Sequence, residues 1–303
     1  MSFGGGTKGV GVTVVTDSTC DLDEDMVRRY GIEVVSLSVG FGDQYYKDRI
    51  ELSAEAFMHR LVTSQEPAHT AAPSPGAFAT LYRDILARPD CDAIISIHLS
   101  GGLSSTARVA ESAARLVDGN ITVIDSQNVS VGLGILVLWA ARRAVQGTAA
   151  SMVTNELQAL IPNVHLVLAP VTLEYLARGG RIGQAARLVG TLLDMKPILE
   201  VDHGMIKAAK KVRGDRHITP GILQVLGERV PHGTPCLIAA ASTTPVPQVE
   251  TLMTALTANY PPVASLRAVA GPVIGTHAGP GAYGAVLCPL TADQVQLWQR
   301  TDT

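Results

Sequence analysis

The sequence predicts an α/β protein of two domains, and three observations support this prediction. Strand-like runs alternate with helical patterns from residue 10 to about residue 160, which is typical of a mostly parallel sheet with helices on both faces. Near residue 165 hairpin and turn signals become frequent, which predicts an α/β domain with a mixed sheet. Aromatic residues are scarce, whereas alanine, valine, leucine and glycine are abundant, as in α/β layers packed through small and branched side chains.

The length of 303 residues is sufficient for two domains of ordinary size. We expect a flexible lead-in over residues 1–11, an N-terminal domain over residues 12–165 and a C-terminal domain over residues 166–303. The boundary between the domains is predicted to within several residues only.

The first elements follow from β-branched runs and helix caps. A β-branched run over residues 10–16 predicts a strand. Asp21, with Glu24 three residues later, predicts the N-cap of a helix that ends at Gly31. Residues 33–41 predict the next strand.

Two further helices are predicted from local cap signals. Ser53 is the expected cap of a helix over about residues 54–62, and Ser74-Pro75 begins another. The segment between these helices, residues 66–73, is predicted to be a loop that contains Thr70.

Residues 94–106 predict a strand, then a loop rich in glycine and serine, then the start of a helix. The free N–H groups and the positive dipole end of a helix start favour an anion, while glycines allow a ligand to approach the backbone. No lysine follows, so the loop is not a nucleotide P-loop. The alternative is that Ser104 or Ser105 only caps the helix. The candidate anion-binding residues are Ser100, Gly101, Gly102 and Ser104.

The loops that follow three predicted strands should meet at one edge of the sheet. Ligands bind beyond the carboxyl ends of the strands in sheets of this kind. Asp17, Ser100 and Asp125 are therefore expected to share one rim, with the two aspartates in a structural role.

The second half of the chain predicts a strand over residues 164–171, a helical turn ended by paired glycines beside Arg181, and a buried apolar segment over residues 185–195. A hairpin should turn at His203-Gly204. The remaining predicted elements are helices around residues 218–226 and from residue 244, strands near residues 235–241, 264–270 and 282–288, and a turn-rich segment over residues 275–281 that contains His277.

Composition excludes several classes of protein. A net charge of −3 argues against a general nucleic-acid binder. The four cysteines lie far apart without a C-x-x-C pair, which favours free thiols in a reducing compartment over zinc or disulfides, and hence a cytoplasmic protein. The most apolar run, residues 129–141, is too short to span a bilayer.

The basic stretch from Lys207 to Arg216 is either a solvated face or a docking surface.

Five ordered motifs resemble the DegV family of bacterial fatty-acid-binding proteins. They are Thr16-Asp17-Ser18-Thr19, the loop from Leu99 to Thr106, Leu173-Glu174-Tyr175-Leu176 with Gly179-Gly180-Arg181-Ile182, Met195-Lys196-Pro197-Ile198-Leu199, and the segment from Thr276 to Gly281. The resemblance covers about residues 12–288. The family usually has Ser-Gly-Thr-Tyr where this chain has Ser104-Ser105-Thr106-Ala107, and Thr-Ser-Gln-Pro where it has Thr70-Ala71-Ala72-Pro73.

The resemblance implies a protein that is not itself an enzyme and needs no cofactor. One long-chain fatty acid would lie with its carboxylate at the domain junction and its acyl chain in an apolar tunnel. A separate ATP-dependent fatty acid kinase would phosphorylate the bound acid. Thr70 and the loop from Ser100 to Ser104 would hold the carboxylate, with Arg181 and His277 nearby and facing the kinase. The resemblance leaves open a transient contact with a membrane surface.

Other functions remain as alternatives at this point. Taken alone, Arg181 could be a surface salt-bridge partner and His277 an ordinary loop residue. An enzyme would be either a sugar phosphotransferase related to dihydroxyacetone kinase or a serine hydrolase with Ser104 as nucleophile, although the second glycine of Gly-x-Ser-x-Gly is missing. A regulatory module that binds a metabolite is the third class, without a visible helix-turn-helix signal.

Overall fold

The computed structural model describes residues 11–188 and 195–300. The predicted lead-in therefore lies outside the described residues except for Gly11. Most of the predicted apolar segment over residues 185–195 also lies outside them, and within its described part Ala185 and Leu188 are buried.

The strands, in chain order, are β1 (Val12–Asp17), β2 (Glu33–Val35), β3 (Ser38–Phe41), β4 (Gln44–Lys47), β5 (Ala68–Ala71), β6 (Ala93–His98), β7 (Ile121–Asp125), β8 (His165–Ala169), β9 (Met195–Asp202), β10 (Met205–Arg213), β11 (Cys236–Ser242), β12 (Pro262–Val269) and β13 (Tyr283–Pro289). The α-helices are α1 (Glu24–Arg29), α2 (Ala54–Thr63), α3 (Pro75–Leu86), α4 (Thr106–Ala114), α5 (Val131–Val145), α6 (Ala150–Leu160), α7 (Glu174–Arg178), α8 (Ile218–Arg229), α9 (Gln248–Asn259), α10 (Pro272–Ala278) and α11 (Ala292–Gln299).

A parallel sheet with the order β2-β1-β6-β7 forms the N-terminal part, as predicted. Side chains alternate between the two faces of a strand. Val15 of β1 therefore packs with α3 and α4, whereas its neighbour Val14 packs with α5 on the opposite face. The apolar run at residues 129–141 forms most of α5, which is buried almost all round. No helix of the described ranges is both long and apolar enough to cross a membrane.

The predicted strand over residues 33–41 is wrong, because the chain changes sheet within it. Residues 36 and 37 separate β2 from β3, and the backbone of Leu37 bonds Ser18 Oγ and the Asp48 N–H instead of a neighbouring strand. β3 then pairs with β4 and β5 in a small antiparallel sheet. The predicted loop around Thr70 is also wrong, since Thr70 lies in β5 opposite Val39.

The predicted N-cap of α1 is two residues too early. Asp23 accepts the Met26 N–H and caps the helix. Asp21 instead has a positive φ of 51° and is buried, because its carboxylate accepts the Gly271 N–H from the far end of the chain. The end of α1 at Gly31, with a φ of 59°, is as predicted.

The second part contains a mixed sheet with the order β10-β9-β8-β13-β11-β12, in which β11 and β12 are parallel and the other pairs antiparallel. The fold class predicted from the sequence is thereby confirmed. Helices α8 and α9 cover one face of this sheet. The other face shares a hydrophobic core with α5 of the N-terminal part. The domain boundary near residue 165 stays a prediction.

Two helix predictions in this part need correction. The predicted turn over residues 275–281 is correct only at its end: residues 275–278, with His277, belong to α10, and a turn follows at residues 280 and 281. α10 has Pro272 in its first turn and Gly279 (φ 75°) directly after its last residue. α9 begins at Gln248 and not at residue 244. Pro247 disfavours the helical conformation at Val246, so the helix can begin only after it.

The C-terminal helix α11 was not predicted, although it has a local signal. Thr291 and Gln294 form a capping box at its start. Its Trp298 stacks on Trp139 of α5 with ring centroids 5.8 Å apart, and Arg142 donates to the Trp298 carbonyl (2.8 Å). The end of the described chain therefore packs against the N-terminal part.

Candidate ligand-binding site

Most of the backbone N–H groups in the loop between β6 and α4 donate to acceptors within the protein. The N–H of Ser100 donates to the Asn128 carbonyl (2.8 Å), that of Gly101 to Asp125 Oδ2 (3.0 Å), and that of Gly102 to Ser100 Oγ (3.1 Å). The Ser104 N–H donates back to the Ser100 carbonyl (3.0 Å). These donors already have protein acceptors, so the loop is not the open anion cradle that its composition suggests.

The same loop is fixed against the hairpin between β9 and β10. Ser100 Oγ donates to the Gly204 carbonyl (2.7 Å). A Cβ atom on Gly102 would lie 2.7 Å from that carbonyl oxygen, and one on Gly204 would lie 2.4 Å from Ser100 Oγ. Both glycines are therefore required for this close approach of the two parts of the chain.

Thr70 and His277 meet from distant elements. β5 and α10 bring Thr70 Oγ1 within 3.0 Å of His277 Nε2. The other ring nitrogen, Nδ1, has no hydrogen-bond partner in the described residues, which favours the tautomer with the proton on Nε2. In that tautomer His277 donates to Thr70 Oγ1, and the Thr70 O–H remains available for a ligand.

His277 is held in its neutral form. Burial, together with the nearby positive charge of Arg181, lowers the pKa of His277 to about 4. Gly179 makes this burial possible, because a Cβ atom there would lie 2.2 Å from Nδ1.

Arg181 supplies the positive charge at this position. Its Nε donates to the Leu103 carbonyl (3.0 Å) and its Nη1 to the Gly179 carbonyl (2.7 Å). These carbonyls orient the guanidinium but leave its charge uncompensated, and no carboxylate of the described residues forms an ion pair with it. A guanidinium in this state is suited to a carboxylate ligand.

The four polar side chains of Thr70, Ser104, Arg181 and His277 line one cavity whose remaining wall is apolar. A second cavity adjoins it and is lined mainly by alanine, leucine, isoleucine and valine. We call them the proximal and the distal cavity. The residues common to both walls are Val129, Leu168, Ile206, Ile274 and Ala278. We call the two adjoining cavities together the channel. Arg181 and His277 lie on the wall of its proximal cavity, and the polar residues on the wall of the distal cavity are Ser130, Ser242, Thr243 and Tyr283.

The structure thus brings together four of the seven predicted site residues. Ser100, Gly101 and Gly102 do not line either cavity; they hold the loop against β7 and the β9–β10 hairpin. Of the loop residues, Leu99, Leu103 and Ser104 reach the proximal cavity. Ser104 Oγ lies 2.9 Å from Thr106 Oγ1 and accepts the Thr106 N–H (3.3 Å), so it also supports the start of α4.

A hydrogen-bonded chain of Tyr82, Ser96, His98 and Asp17 resembles a Ser-His-Asp triad. Tyr82 Oη is 2.8 Å from Ser96 Oγ, which is 2.7 Å from His98 Nε2, and His98 Nδ1 is 3.0 Å from Asp17 Oδ2. All four residues are fully buried between β1, β6 and α3, so no substrate can reach Ser96. Ser104 has no histidine among its hydrogen-bond partners in the described part of the chain. The hydrolase alternative therefore has no support from this geometry.

The comparisons with known proteins agree with the fold. The family model described as "Uncharacterised protein, DegV family" matches residues 11–290. The chain belongs to the DegV family. A solved structure described as fatty acid binding of a DegV family protein from Thermus thermophilus is 34% identical, with a TM-score of 0.87, and covers 93% of this chain and 100% of that one. DegV of Bacillus subtilis, described as a fatty acid binding protein, is 30% identical, with a TM-score of 0.82 and coverage of 93% and 100%. A DegV domain-containing protein of Caldanaerobacter subterraneus is 33% identical over 274 residues, which are 90% of this chain and 97% of that protein.

In this DegV family protein, sequence reasoning missed most of the channel wall. Ile206 and Ile274 lie on the wall of both cavities, yet Ile206 was predicted only as part of a strand and Ile274 was assigned to no element. A strand residue that faces a cavity has the same hydrophobic pattern as one that faces a filled core, so the sequence contains no local signal that separates the two.

Proposed function

We propose that this protein binds one long-chain fatty acid and presents its carboxylate to a separate ATP-dependent fatty acid kinase, which forms the acyl phosphate. The observation that supports binding is the channel, which is mainly apolar and has Thr70, Ser104, Arg181 and His277 on the wall of its proximal cavity. This combination is amphipathic in the same way as a fatty acid. Burial of the acyl chain at about 0.8 kcal/mol per methylene would supply most of the affinity.

The carboxylate would be held by hydroxyl groups and one charge. Thr70 and Ser104 offer O–H donors, and Arg181 offers an uncompensated guanidinium. Each hydrogen bond to a charged group contributes about 1.5–3 kcal/mol when the site is buried. We expect Ser104→Ala and Thr70→Val each to weaken binding by roughly 1 to 3 kcal/mol.

Arg181 and His277 would contribute mainly to the transfer of the phosphoryl group. Charge builds on the headgroup as the acyl phosphate forms, so donors that strengthen with that charge raise the rate more than the affinity. His277 would act through Thr70, because its Nε2–H donates to Thr70 Oγ1 and that hydrogen bond strengthens as the anion develops beside the Thr70 O–H. Because ATP is the phosphate donor, the proposal implies a cytoplasmic protein that is the carrier and not the enzyme.

The first experiment identifies the ligand. Mass spectrometry of the native and the denatured protein should show one bound long-chain fatty acid, released on denaturation. A protein that is free of lipid, and that binds no added palmitate in calorimetry, would refute the proposal.

The second experiment separates binding from presentation. With a matched fatty acid kinase and ATP, Arg181→Ala and His277→Ala should retain bound acid while acyl-phosphate formation falls by about a hundredfold, the usual effect of losing one oxyanion donor. Arg178→Ala is the matched control, because Arg178 lies on the exposed side of α7 and pairs with Glu174. Lipid-loaded variants that react at the parental rate would contradict the proposed role of the two residues.

A further inference from the structure

Two buried carboxylates hold the start of α10 from the other part of the chain. Asp21 Oδ1 accepts the Gly271 N–H (2.9 Å), and Asp48 Oδ1 accepts the Val273 N–H (3.3 Å). Gly271 has no side chain to cap the helix and Pro272 has no N–H, so these two bonds satisfy donors at the helix start that have no local acceptor. Both aspartates place acceptor oxygens at the positive end of the helix.

Asp21 also contacts a second wall of the channel. Asp21 Oδ2 accepts a hydrogen bond from Ser130 Oγ (2.5 Å), and Ser130 lines the distal cavity. On α10, Ile274 and Ala278 line both cavities, and His277 lines the proximal cavity. Asp21 therefore joins the start of the helix that contains His277 to the start of α5.

Backbone strain is concentrated at this junction. Asp21, Arg49 and Ser130 have φ values of 51°, 63° and 54°, a region that L-residues occupy at a cost of about 1 kcal/mol or more each. Arg49 Nη1 lies 3.6 Å from Asp21 Oδ1 and completes the cluster. Strained residues persist only where the surrounding contacts hold them, and they are typical of segments that change conformation in function.

We propose that Asp21 and Asp48 are positioning residues that form a latch for ligand exchange. The bonds from Asp21 and Asp48 to the start of α10 keep this helix against the channel, and the ligand enters or leaves when they open. That the ligand of the latch is a fatty acid rests on the proposed function. The opening of the latch itself needs no ligand and is a property of the protein alone. Removing one of these bonds lowers the free energy of opening by the value of that bond, so exchange should become faster while the saturated complex remains one to one.

The test measures exchange of bound, isotopically labelled palmitate for unlabelled palmitate by native mass spectrometry. Loss of one hydrogen bond to a carboxylate corresponds to about a tenfold faster exchange or more for Asp48→Ala. Asp48→Asn keeps an oxygen acceptor for the Val273 N–H but puts an NH2 group in place of Oδ2, which is buried and has no hydrogen-bond partner in the described residues, so we expect palmitate exchange to be about threefold faster. Asp23→Ala is the matched control: Asp23 caps α1 by one bond to the Met26 N–H, away from the channel, and its exchange rate should equal that of the parent.

Amide hydrogen exchange separates failure of the latch from failure of the proposed function. In ligand-free protein, Asp48→Ala should speed exchange in residues 272–278 without changing α8 or α9. If the parent binds no palmitate, the fatty-acid proposal fails, and unchanged amide exchange in residues 272–278 would then also refute the latch. If Asp48→Ala does not fold, Asp48→Asn decides: palmitate exchange at the parental rate refutes the latch.

Discussion

A leucine at position 278 should shorten the acids that the protein accepts. Ala278 is buried and lies on the wall of both cavities, so Ala278→Leu would place three additional carbons where the channel passes from the proximal to the distal cavity. The distal cavity would then be closed to the acyl chain. Each methylene kept out of it costs about 0.8 kcal/mol, or about fourfold in Kd.

The assay is a series of unbranched acids from octanoate to stearate, titrated calorimetrically into delipidated protein. For the parent, Kd should fall about fourfold with each methylene through the long acids. For Ala278→Leu, Kd should fall by the same factor per methylene among the short acids and should stop falling among the longer ones. Ile274→Leu, a change of equal volume on the same helix, should preserve the whole slope, at a uniform cost below about 1.5 kcal/mol.

Two results would refute this reasoning. If Kd for Ala278→Leu keeps falling with the parental slope up to stearate, the acyl chain does not pass Ala278. If affinity is lost by the same factor for every acid, the substitution acts on the headgroup side chains or on the placement of α10 and not on the channel.

Three further predictions concern titration and stability. Burial raises the pKa of Asp48 to about 7, although Ser18 lowers it. The stability that protonated Asp48 contributes to the fold is therefore lost as the pH rises from about 4 to 7. In urea titrations the parent should lose about 2 to 3 kcal/mol of unfolding free energy relative to Asp48→Asn between pH 5 and pH 8, and a difference that does not change with pH would contradict this. The pKa of His277 is about 4 in the free protein. When a carboxylate binds, NMR titrations should give a pKa that is higher by about 1 to 3. An unchanged pKa would mean that the carboxylate does not lie beside His277. Tyr82→Phe should cost about 1 kcal/mol of unfolding free energy and His98→Leu about 2 kcal/mol or more, because the first removes one hydrogen bond of the buried chain and the second removes two, to Ser96 and to Asp17; equal costs would refute this.

The elements that the sequence predicts well depend on neighbours in the chain. Ser53 and Ser74 cap α2 and α3 by accepting the N–H groups of Ala56 and Ala77, three residues away. The parallel strands follow from β-branched runs between helical patterns, and Gly31 ends α1 as expected. In each case the signal and its structural consequence lie within one turn or one strand of each other.

The elements that it predicts wrongly depend on distant contacts. Asp21 and Asp23 have the same side chain, and only the contact of Asp21 with Gly271 decides which of them caps α1. Gly275 made α10 resemble a turn, but a Cβ atom there would lie 2.2 Å from Met58 Cε of α2. That glycine is required for helix packing and not for a turn, and a single sequence does not separate these two reasons.

The residues of the candidate site also come together through distant contacts. Thr70, Ser104, Arg181 and His277 were predicted from a resemblance and meet in one cavity, although they lie on four segments that no local pattern connects. Their position at the ligand remains a proposal.

The glycine-rich loop shows why composition alone overstated the anion site. Its glycines and serine suit two structures equally: a cradle with free N–H groups, or a tight turn whose N–H groups bond within the protein. The second is realised because Asp125 ends the neighbouring strand and accepts the Gly101 N–H, while Gly204 approaches from the β9–β10 hairpin. A ligand carboxylate must then obtain its donors from Ser104 at the end of the loop and from β5, α10 and the residues after α7. Substitutions at Gly101 should therefore act through its contact with Asp125, and substitutions at Gly102 through its contact with the β9–β10 hairpin. A loss of binding in such variants would say nothing about direct contact with the ligand.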